Sequence, residues 1–168
     1  MEPDLVSMYS MERTFDTIVT RDPDLGVLFN DLIRLETELW DLVDGRLRRD
    51  HDLALSWFEL MQVMDSTPGC RVIDIAEALS ITIGGTSKLV DRIQNAGRCE
   101  RSPNPDDGRS STIELTRSGR RLLTAAQRTF ADELNQRLGT SLSTSELRRF
   151  AATMHRMRIH LHEQRESA

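Results

Sequence analysis

The sequence predicts a mainly α-helical (α+β) chain in which one short β-hairpin is flanked by helices. Apolar residues recur at alternating spacings of three and four along much of the 168-residue chain, the repeat of an amphipathic helix. One pair of short extended segments, separated by a run rich in Pro, Asp and Asn, predicts a single hairpin. The content of 38% hydrophobic and 29% charged residues is that of a folded globular protein.

The N-terminal third predicts two helices interrupted at Pro23. Apolar spacing indicates a short helix in the first 20 residues, and Pro23 ends it, because proline disfavours helical geometry in the residue before it. We therefore expect residues 1–24 to be an N-terminal extension and residues 25–52 to be one long dimerisation helix. Its heptad seam consists of Leu28, Leu32, Leu35, Leu39 and Leu42.

The middle of the chain predicts three helices followed by the hairpin. The helices are expected at about 53–65, 72–79 and 83–96, and the strands at 98–101 and 111–115. Residues 102–109 between the strands are rich in turn-forming types and predict a long hairpin tip. Helix–helix–helix–hairpin is the order of a winged helix-turn-helix, which we assign to residues 53–121.

The C-terminal segment, residues 122–168, predicts two further helices with apolar seams. The first continues from Thr116 to about Leu138, and the last begins with a capping box in which Ser143 is the N-cap and Glu146 occupies the third helical position. The terminal helices carry more apolar surface than one small winged domain needs. A second copy of the chain is the simplest cover for it, since two-fold dimers are the commonest oligomers. Packing within one chain, as a helical bundle, is the alternative.

Charge is distributed unevenly along the chain, whose net charge is −5. The first 69 residues carry six basic and fifteen acidic side chains, whereas residues 70–121 carry nine basic and seven acidic ones. The middle segment is therefore basic relative to the N-terminal third, as expected of a surface that faces a polyanion. Lys88 is the only lysine in the chain.

Several classes of protein are excluded by the sequence. It contains no run of 18 apolar residues, so we expect no membrane partner, and the N-terminus lacks the pattern of a secretory signal. We therefore expect a cytoplasmic protein. The sequence has no phosphate-binding glycine loop, no nucleophile with an identifiable base and no paired carboxylates, so we expect neither an enzyme nor a cofactor.

The segment that begins at Thr82 is the candidate recognition helix. Thr82 is a plausible N-cap, and small residues crowd the first turn and a half. Two adjacent glycines make a helix less stable than two alanines would, so their presence here requires an explanation. Missing side chains let the helix N-terminus approach a phosphate or the floor of a DNA groove; alternatively the glycines fray the turn or fit a close helix crossing. The small residues of this segment are Gly84, Gly85, Thr86 and Ser87.

The hairpin tip carries a second candidate contact, formed by Asp107 and Arg109 close to Asn104. An aspartate two residues before an arginine can orient the guanidinium through a charge-assisted hydrogen bond. A fixed arginine suits the negative potential of a narrow minor groove. The alternative is a solvated ion pair within the turn.

From about residue 55 to residue 124 the sequence resembles the MarR family of dimeric winged-helix transcription regulators. The resemblance rests on the order and spacing of Leu-Val-Asp-Arg-Ile at 89–93, Ala96-Gly97, Glu100-Arg101, Pro105-Asp106-Asp107-Gly108-Arg109-Ser110, Leu115-Thr116 and Gly119. It implies a homodimer that places one recognition helix per subunit in successive major grooves of double-stranded DNA. The terminal seams correspond to the family's dimerisation helices.

The resemblance also implies roles for individual residues. The wing residues Asp107 and Arg109 would reach the flanking minor groove, and Ser110 would also bind DNA. The base- and phosphate-contacting face would consist of Thr82, Gly84, Gly85, Thr86, Ser87 and Lys88. Arg92 matches a family position that meets either DNA or a structural carboxylate. Three departures affect affinity and base preference. Gly108-Arg109 stands where the family has two arginines, Ile83-Gly84 where it often has Arg or Ser, and Arg98-Cys99 where it has apolar residues.

Effector sensing is the remaining expectation. Most members of the family respond to a small aromatic or phenolic molecule in a cleft between the dimerisation helices and the winged domain. Trp40, Trp57, Phe58 and Met61 are candidate lining residues, although such a stripe is also typical of a core. The N-terminal extension would brace the dimer or cap the cleft. Cys70 and Cys99 stand in slots that are usually apolar, which favours buried structural thiols over a redox sensor.

These observations predict a sequence-specific DNA-binding regulator, a repressor relieved by a small molecule. We expect no metal site, because His51, His155, His160 and His162 do not form a helical ligand pair. The alternatives are a winged-helix module used only for protein contacts, and a cysteine-based redox regulator. Steep salt dependence of DNA binding would separate the first alternative from a regulator.

Overall fold

A computed structural model describes residues 24–104 and 107–167. The elements in chain order are α1 Leu25–His51, α2 Leu55–Ser66, α3 Val72–Leu79, α4 Ile83–Asn95, β1 Cys99–Asn104, β2 Asp107–Leu115, α5 Arg117–Leu134, a π-helical turn Asn135–Gly139, and α6 Thr144–Glu166. The predicted class, mainly helical with one β-hairpin in the winged helix-turn-helix order, is confirmed. The predicted helix in the first 20 residues lies outside the described residues.

The chain divides into two compact units, Met1–Asp41 and Leu42–Ala168. The described part of the first unit is residue 24 and the N-terminal two thirds of α1, whose seam residues Leu28 and Leu35 are exposed. The second unit contains the winged domain and the C-terminal helices. The boundaries expected at 24/25, 52/53 and 121/122 stay predictions.

The second unit is built around α2, which is apolar on the stripe that faces its neighbours. Leu55, Phe58, Met61 and Met64 recur every three residues on this helix and are buried. Each such side chain contributes roughly 1.5–3 kcal/mol when it is removed from water. The other elements supply further buried side chains to the same core: Val43, Leu47, Ile75, Val90, Ile93, Ile113, Leu115, Leu123 and Ala126.

A tight turn sets the angle between α3 and α4. Ser80 adopts the left-handed conformation, with φ 55° and ψ 38°, and its N–H donates to the carbonyl oxygens of Ala76 and Glu77. The N–H of Ile81 also donates to the Ala76 oxygen, at 3.0 Å. Left-handed geometry is uncommon for a residue with a side chain. These hydrogen bonds therefore hold the turn at the geometry that presents α4.

The hairpin strands are longer than the sequence analysis predicted. Antiparallel pairing runs from Cys99 opposite Leu115 to Asn104 opposite Asp107, with an irregularity between Pro103 and Asn104. The expectation that residues 102–109 form only a loop is therefore wrong for most of that segment. In a two-stranded sheet both strands are edges, so Pro103 can take part although it has no N–H to donate.

The C-terminal helices follow their local signals closely. The capping box of α6 is confirmed, because the Ser143 hydroxyl accepts from the Glu146 N–H and the Glu146 carboxylate accepts from the Ser143 N–H. The preceding α-helix ends at Leu134 rather than at the predicted Leu138, and the π-helical turn occupies the remaining residues. Across residues 24–104 and 107–167, none of the helices combines the length and hydropathy that crossing a membrane requires.

Candidate nucleic-acid interface

The N-terminus of α4 is exposed and capped as predicted. Thr82 is extended, and its hydroxyl oxygen accepts a hydrogen bond from the Gly85 N–H at 3.2 Å. Such a cap satisfies one of the four N–H groups that a helix leaves without an intrahelical partner at its start. The remaining free N–H groups and the helix dipole favour an anion at this end.

The two glycines of α4 stand in different surroundings. A Cβ atom added at Gly85 would lie 3.0 Å from the Thr82 hydroxyl oxygen, which is a tight contact with the cap itself. A Cβ added at Gly84 would meet nothing within 4 Å among the described residues. The need for a glycine at position 84 therefore does not come from packing within this part of the chain.

The other candidate residues of α4 divide into buried and exposed positions. Thr86 is completely buried, and its hydroxyl donates to the Thr82 carbonyl oxygen at 2.9 Å. Its assignment to a DNA-contacting face is therefore wrong, because the side chain belongs to the core stripe with Val90 and Ile93. Ser87 is half-buried, whereas Lys88 is exposed and free to reach outward.

The hairpin brings Asn104 and Ser110 together near its tip. The Asn104 side-chain amide donates to the Ser110 hydroxyl oxygen at 2.9 Å. Asp107 and Arg109 belong to strand β2, but the structure does not describe their side chains. The predicted carboxylate–guanidinium contact between them stays a prediction.

A set of contacts that the sequence analysis missed joins α4 to the wing. The Arg101 guanidinium on β1 forms an ion pair with the Asp91 carboxylate at 2.8 Å. The Cys99 thiol donates to the Val90 carbonyl oxygen at 3.8 Å, inside the core. Asp91 is thus the member of the Leu-Val-Asp-Arg-Ile segment that meets a charged partner. Arg92 is exposed on the neighbouring face.

Arg92 borders a recess of about 500 Å³ between the end of α1, α2, α4 and α5. Three arginines, Arg48, Arg92 and Arg98, line this recess together with the half-buried ring of Trp57. Its remaining wall includes the apolar side chains of Leu53, Leu89 and Leu122. Asp52 also lines the recess, so three arginines and one carboxylate leave a net positive charge beside the aromatic ring, which suits a planar anion.

Of the four side chains expected to line a ligand cleft, Trp57 alone borders this recess. Phe58 and Met61 are completely buried in the core, and the Phe58 ring centroid lies 4.9 Å from that of Phe130. Their assignment to a ligand cleft is therefore corrected: they are core residues. Trp40 belongs to the N-terminal unit and is partly exposed there.

Both cysteines are buried and unpaired. Burial raises the pKa of the Cys70 thiol to about 11, and Asp74 adds to that effect. Burial likewise raises the pKa of Cys99 to about 11. Because the thiolate is the reactive form, a raised pKa leaves both groups almost fully protonated near neutral pH. Their environment is that of structural thiols.

Alkylation tests this description of the cysteines. At pH 7.5 we expect iodoacetamide to modify Cys70 and Cys99 of the native chain much more slowly than those of the chain in urea, followed by mass spectrometry. Raising the pH toward 9 should speed the native reaction without any levelling off, because the thiolate fraction keeps rising with pH as long as the pH is below the pKa. Rapid loss of one thiol in the folded protein at pH 7.5 would instead support the redox-sensing alternative.

The histidines do not assemble into a metal centre within the described ranges. His51 lies at the end of α1, where its Nε2 is 2.7 Å from the Thr129 hydroxyl oxygen. His155, His160 and His162 are exposed on α6. Among residues 24–104 and 107–167, no three or more His, Cys, Asp or Glu side chains come together in a way that suits a metal ion.

Comparison with known proteins relates this arrangement to a family. Residues 55–111 match the model of the MarR family. The multiple antibiotic resistance protein MarR of Escherichia coli (strain K12) is 25% identical over 127 residues, which cover 71% of this chain and 88% of that protein.

Solved structures share the fold. The MarR family transcriptional regulator Sco3205 from Streptomyces coelicolor, in complex with DNA, has a TM-score of 0.74 and 22% identity, and the match covers 81% of this chain and 90% of that one. CouR from Rhodococcus jostii RHA1, bound to p-coumaroyl-CoA, has a TM-score of 0.68 and 18% identity, with coverage of 80% and 91%. The chain therefore contains a MarR-family domain at residues 55–111 and shares the fold of these solved structures.

Proposed function

We propose that this regulator binds a near-palindromic operator in double-stranded DNA as a homodimer, and that it acts as a repressor released by a small aromatic effector. The proposal rests on the N-terminus of α4, which is capped by Thr82 and exposed to solvent. In a helix-turn-helix the N-terminal residues of the second helix contact base edges, and the two half-sites of a dimer lie about one DNA turn, roughly 10 base pairs, apart.

The exposed face of α4 supports DNA as the partner. It carries Thr82, Gly84, Gly85 and Lys88 at the surface, with Ser87 at its edge. Free N–H groups at the helix start favour phosphate, and Lys88 adds a positive charge about one and a half turns further along. Family relatives of the same fold, such as Sco3205, have been solved in complex with DNA.

Exposed apolar seams support the homodimer. On α6, Phe150, Met154, Met157 and Leu161 repeat at spacings of four, three and four, and all are exposed. Such a seam costs solvation free energy unless another surface covers it. We expect light scattering to report twice the 19.2 kDa chain mass, and Met154→Glu together with Phe150→Glu to shift the protein toward monomer.

The recess supports an anionic aromatic effector. Its arginines can pair with a carboxylate, and the Trp57 ring can stack on an aromatic ring. Replacing Trp40 by Phe leaves Trp57 as the single tryptophan, so its fluorescence reports binding directly. Titration with phenolic acids should quench that signal and release bound DNA, and Arg98→Ala should weaken both responses. Fluorescence that stays unchanged across the series would remove the effector part of the proposal.

A mobility-shift titration tests the proposal as a whole. The target is the DNA upstream of the protein's own gene, at two salt concentrations, with a pool of random-sequence duplexes as competitor. We expect tight binding that weakens steeply with salt and that random DNA does not compete away. If neither the upstream fragment nor any member of the random pool shifts at low salt, the chain does not function as a DNA-binding regulator.

Lys88→Ala tests the phosphate contact on α4. Loss of one phosphate contact per subunit is expected to reduce the slope of log affinity against log salt by about one for each half-site, and so by about two for the dimer. Arg49→Ala, at the exposed C-terminal end of α1, is the matched loss of charge outside the winged domain and should leave the slope unchanged. Parallel slopes for Lys88→Ala and the wild type would place Lys88 away from the DNA.

Arg109→Ala tests the wing. An arginine in the minor groove is expected to contribute about 1–3 kcal/mol of binding free energy, so affinity should fall by roughly 5-fold to 150-fold while dimerisation is unchanged. Arg109→Lys keeps the charge but loses the planar fork, and we expect it to recover only part of the affinity. Equal affinity for all three proteins would show that the wing does not contact DNA.

A further inference from the structure

An exposed aliphatic side chain stands at the front of the recognition helix. Ile83 is the first residue of α4 and is 56% exposed, whereas Ile75, Ile93 and Ile113 of the same domain are completely buried. A β-branched residue has no advantage in helix propensity at such a position. The core of the described chain therefore does not account for an isoleucine at position 83.

The two residues that follow Ile83 are glycines, so they place no side chains next to it. Gly84 and Gly85 have no side chains, and the surroundings of Gly84 would accommodate a Cβ without contact. When the start of α4 enters a major groove, these two positions allow the backbone to come close to the base edges. The longest side chain at that end of the helix is then that of Ile83.

The same stretch lacks the side chains that read bases by paired hydrogen bonds. Bidentate recognition of guanine uses Arg or Lys, and that of adenine uses Asn or Gln. Residues 83–87 contain none of these types, and Thr86 among them is buried. The one apolar group that a base pair presents in the major groove is the C5-methyl of thymine.

We propose that Ile83 is a specificity-determining residue that contacts the C5-methyl group of a thymine in each half-site. This inference rests on the proposed DNA binding, and it predicts that a T·A pair faces the first turn of α4. Burial of one methyl-sized group corresponds to about a fourfold change in affinity. Lys88, one and a half turns along, then contributes phosphate affinity rather than discrimination between bases.

The test first selects binding sites for the wild-type protein from a random duplex library. Each thymine of the selected half-site is then replaced by deoxyuridine, which removes only the methyl group, and dissociation constants are measured by fluorescence anisotropy. We expect one thymine at which the replacement weakens wild-type binding about fourfold per half-site. Ile83→Ala should bind the thymine and deoxyuridine duplexes equally, whereas Ile83→Val should still distinguish them.

Ile73→Ala is the control, since Ile73 is a partly exposed isoleucine on α3 rather than on α4. It should keep the wild-type preference for the methylated base, and circular dichroism checks that every variant is folded. Discrimination that persists in Ile83→Ala, or that occurs at no thymine of an enriched site, overturns the inference while leaving DNA binding intact. Failure to enrich any site would overturn the proposed function itself.

Discussion

Gly119→Ala is expected to destabilise the winged domain by about 3 kcal/mol, at the upper end of the usual cost of overpacking. A Cβ atom at position 119 would lie 2.0 Å from the Arg98 carbonyl oxygen and 3.0 Å from its carbonyl carbon. Both are backbone atoms, so no side-chain rotation relieves the contact. The start of α5 would have to move away from the base of the wing.

That movement would also break the cap of α5. The Thr116 hydroxyl accepts from the Gly119 N–H at 3.0 Å and itself lies 2.8 Å from the Gly97 carbonyl oxygen, to which it donates. Gly45→Ala on α1 is the matched control, because a Cβ there meets nothing within 4 Å among the described residues. It should stabilise the chain by roughly 0.5–1 kcal/mol. Urea unfolding at fixed protein concentration measures both, and equal midpoints would contradict the steric argument.

Phe58→Ala is expected to cost about 3–5 kcal/mol of unfolding free energy, the range for removing a large aromatic side chain from a packed core. Phe58 is completely buried on α2 and packs against Phe130 of α5 with the rings tilted by 33°. Its loss would open a cavity where those two helices meet. Thermal and urea unfolding should both shift strongly.

Trp57→Ala, one residue before Phe58, distinguishes the effect of losing a side chain of the recess from that of losing a side chain of the core. Trp57 is half-buried at the wall of the recess, so we expect its removal to lower stability much less than that of Phe58, and to abolish the response to phenolic acids. A Phe58→Ala protein that kept wild-type stability but no longer responded to phenolic acids would return Phe58 to the ligand site.

Local signals in the sequence were sufficient for the helix boundaries of the central motif. The bounds of α3 match the expected 72–79, and the caps at Thr82 and Ser143 are where the residue types placed them. Caps are read from residues only three positions apart, so tertiary context has little opportunity to override them. The hairpin strands were underestimated because turn-forming residue types were given more weight than pairing between strands.

The burial of Thr86, Phe58 and Met61, which the sequence analysis assigned to binding surfaces, could have been predicted from the helical periodicity of the sequence. Thr86 lies four and seven residues before Val90 and Ile93, on the same inward stripe, so its burial follows from spacing once a threonine is allowed on that stripe. Phe58 and Met61 likewise share a stripe with Leu55, and Trp57 does not. By contrast, the approach of Gly119 to Arg98 and the ion pair between Asp91 and Arg101 join residues distant in sequence. Spacing alone does not reveal such contacts.

The attachment of α4 to the wing limits how a signal can be transmitted. Three contacts join α4 to the hairpin and the residue before it. They are the Asp91–Arg101 ion pair, the Cys99–Val90 hydrogen bond and the hydrogen bond that the Arg98 N–H donates to the Ile93 carbonyl oxygen at 3.0 Å. We therefore expect α4 and the hairpin to move together as one rigid DNA-binding unit. In the proposed homodimer we therefore expect an effector to change the distance between the two DNA-binding units, measured against the pitch of DNA, rather than to bend one of them.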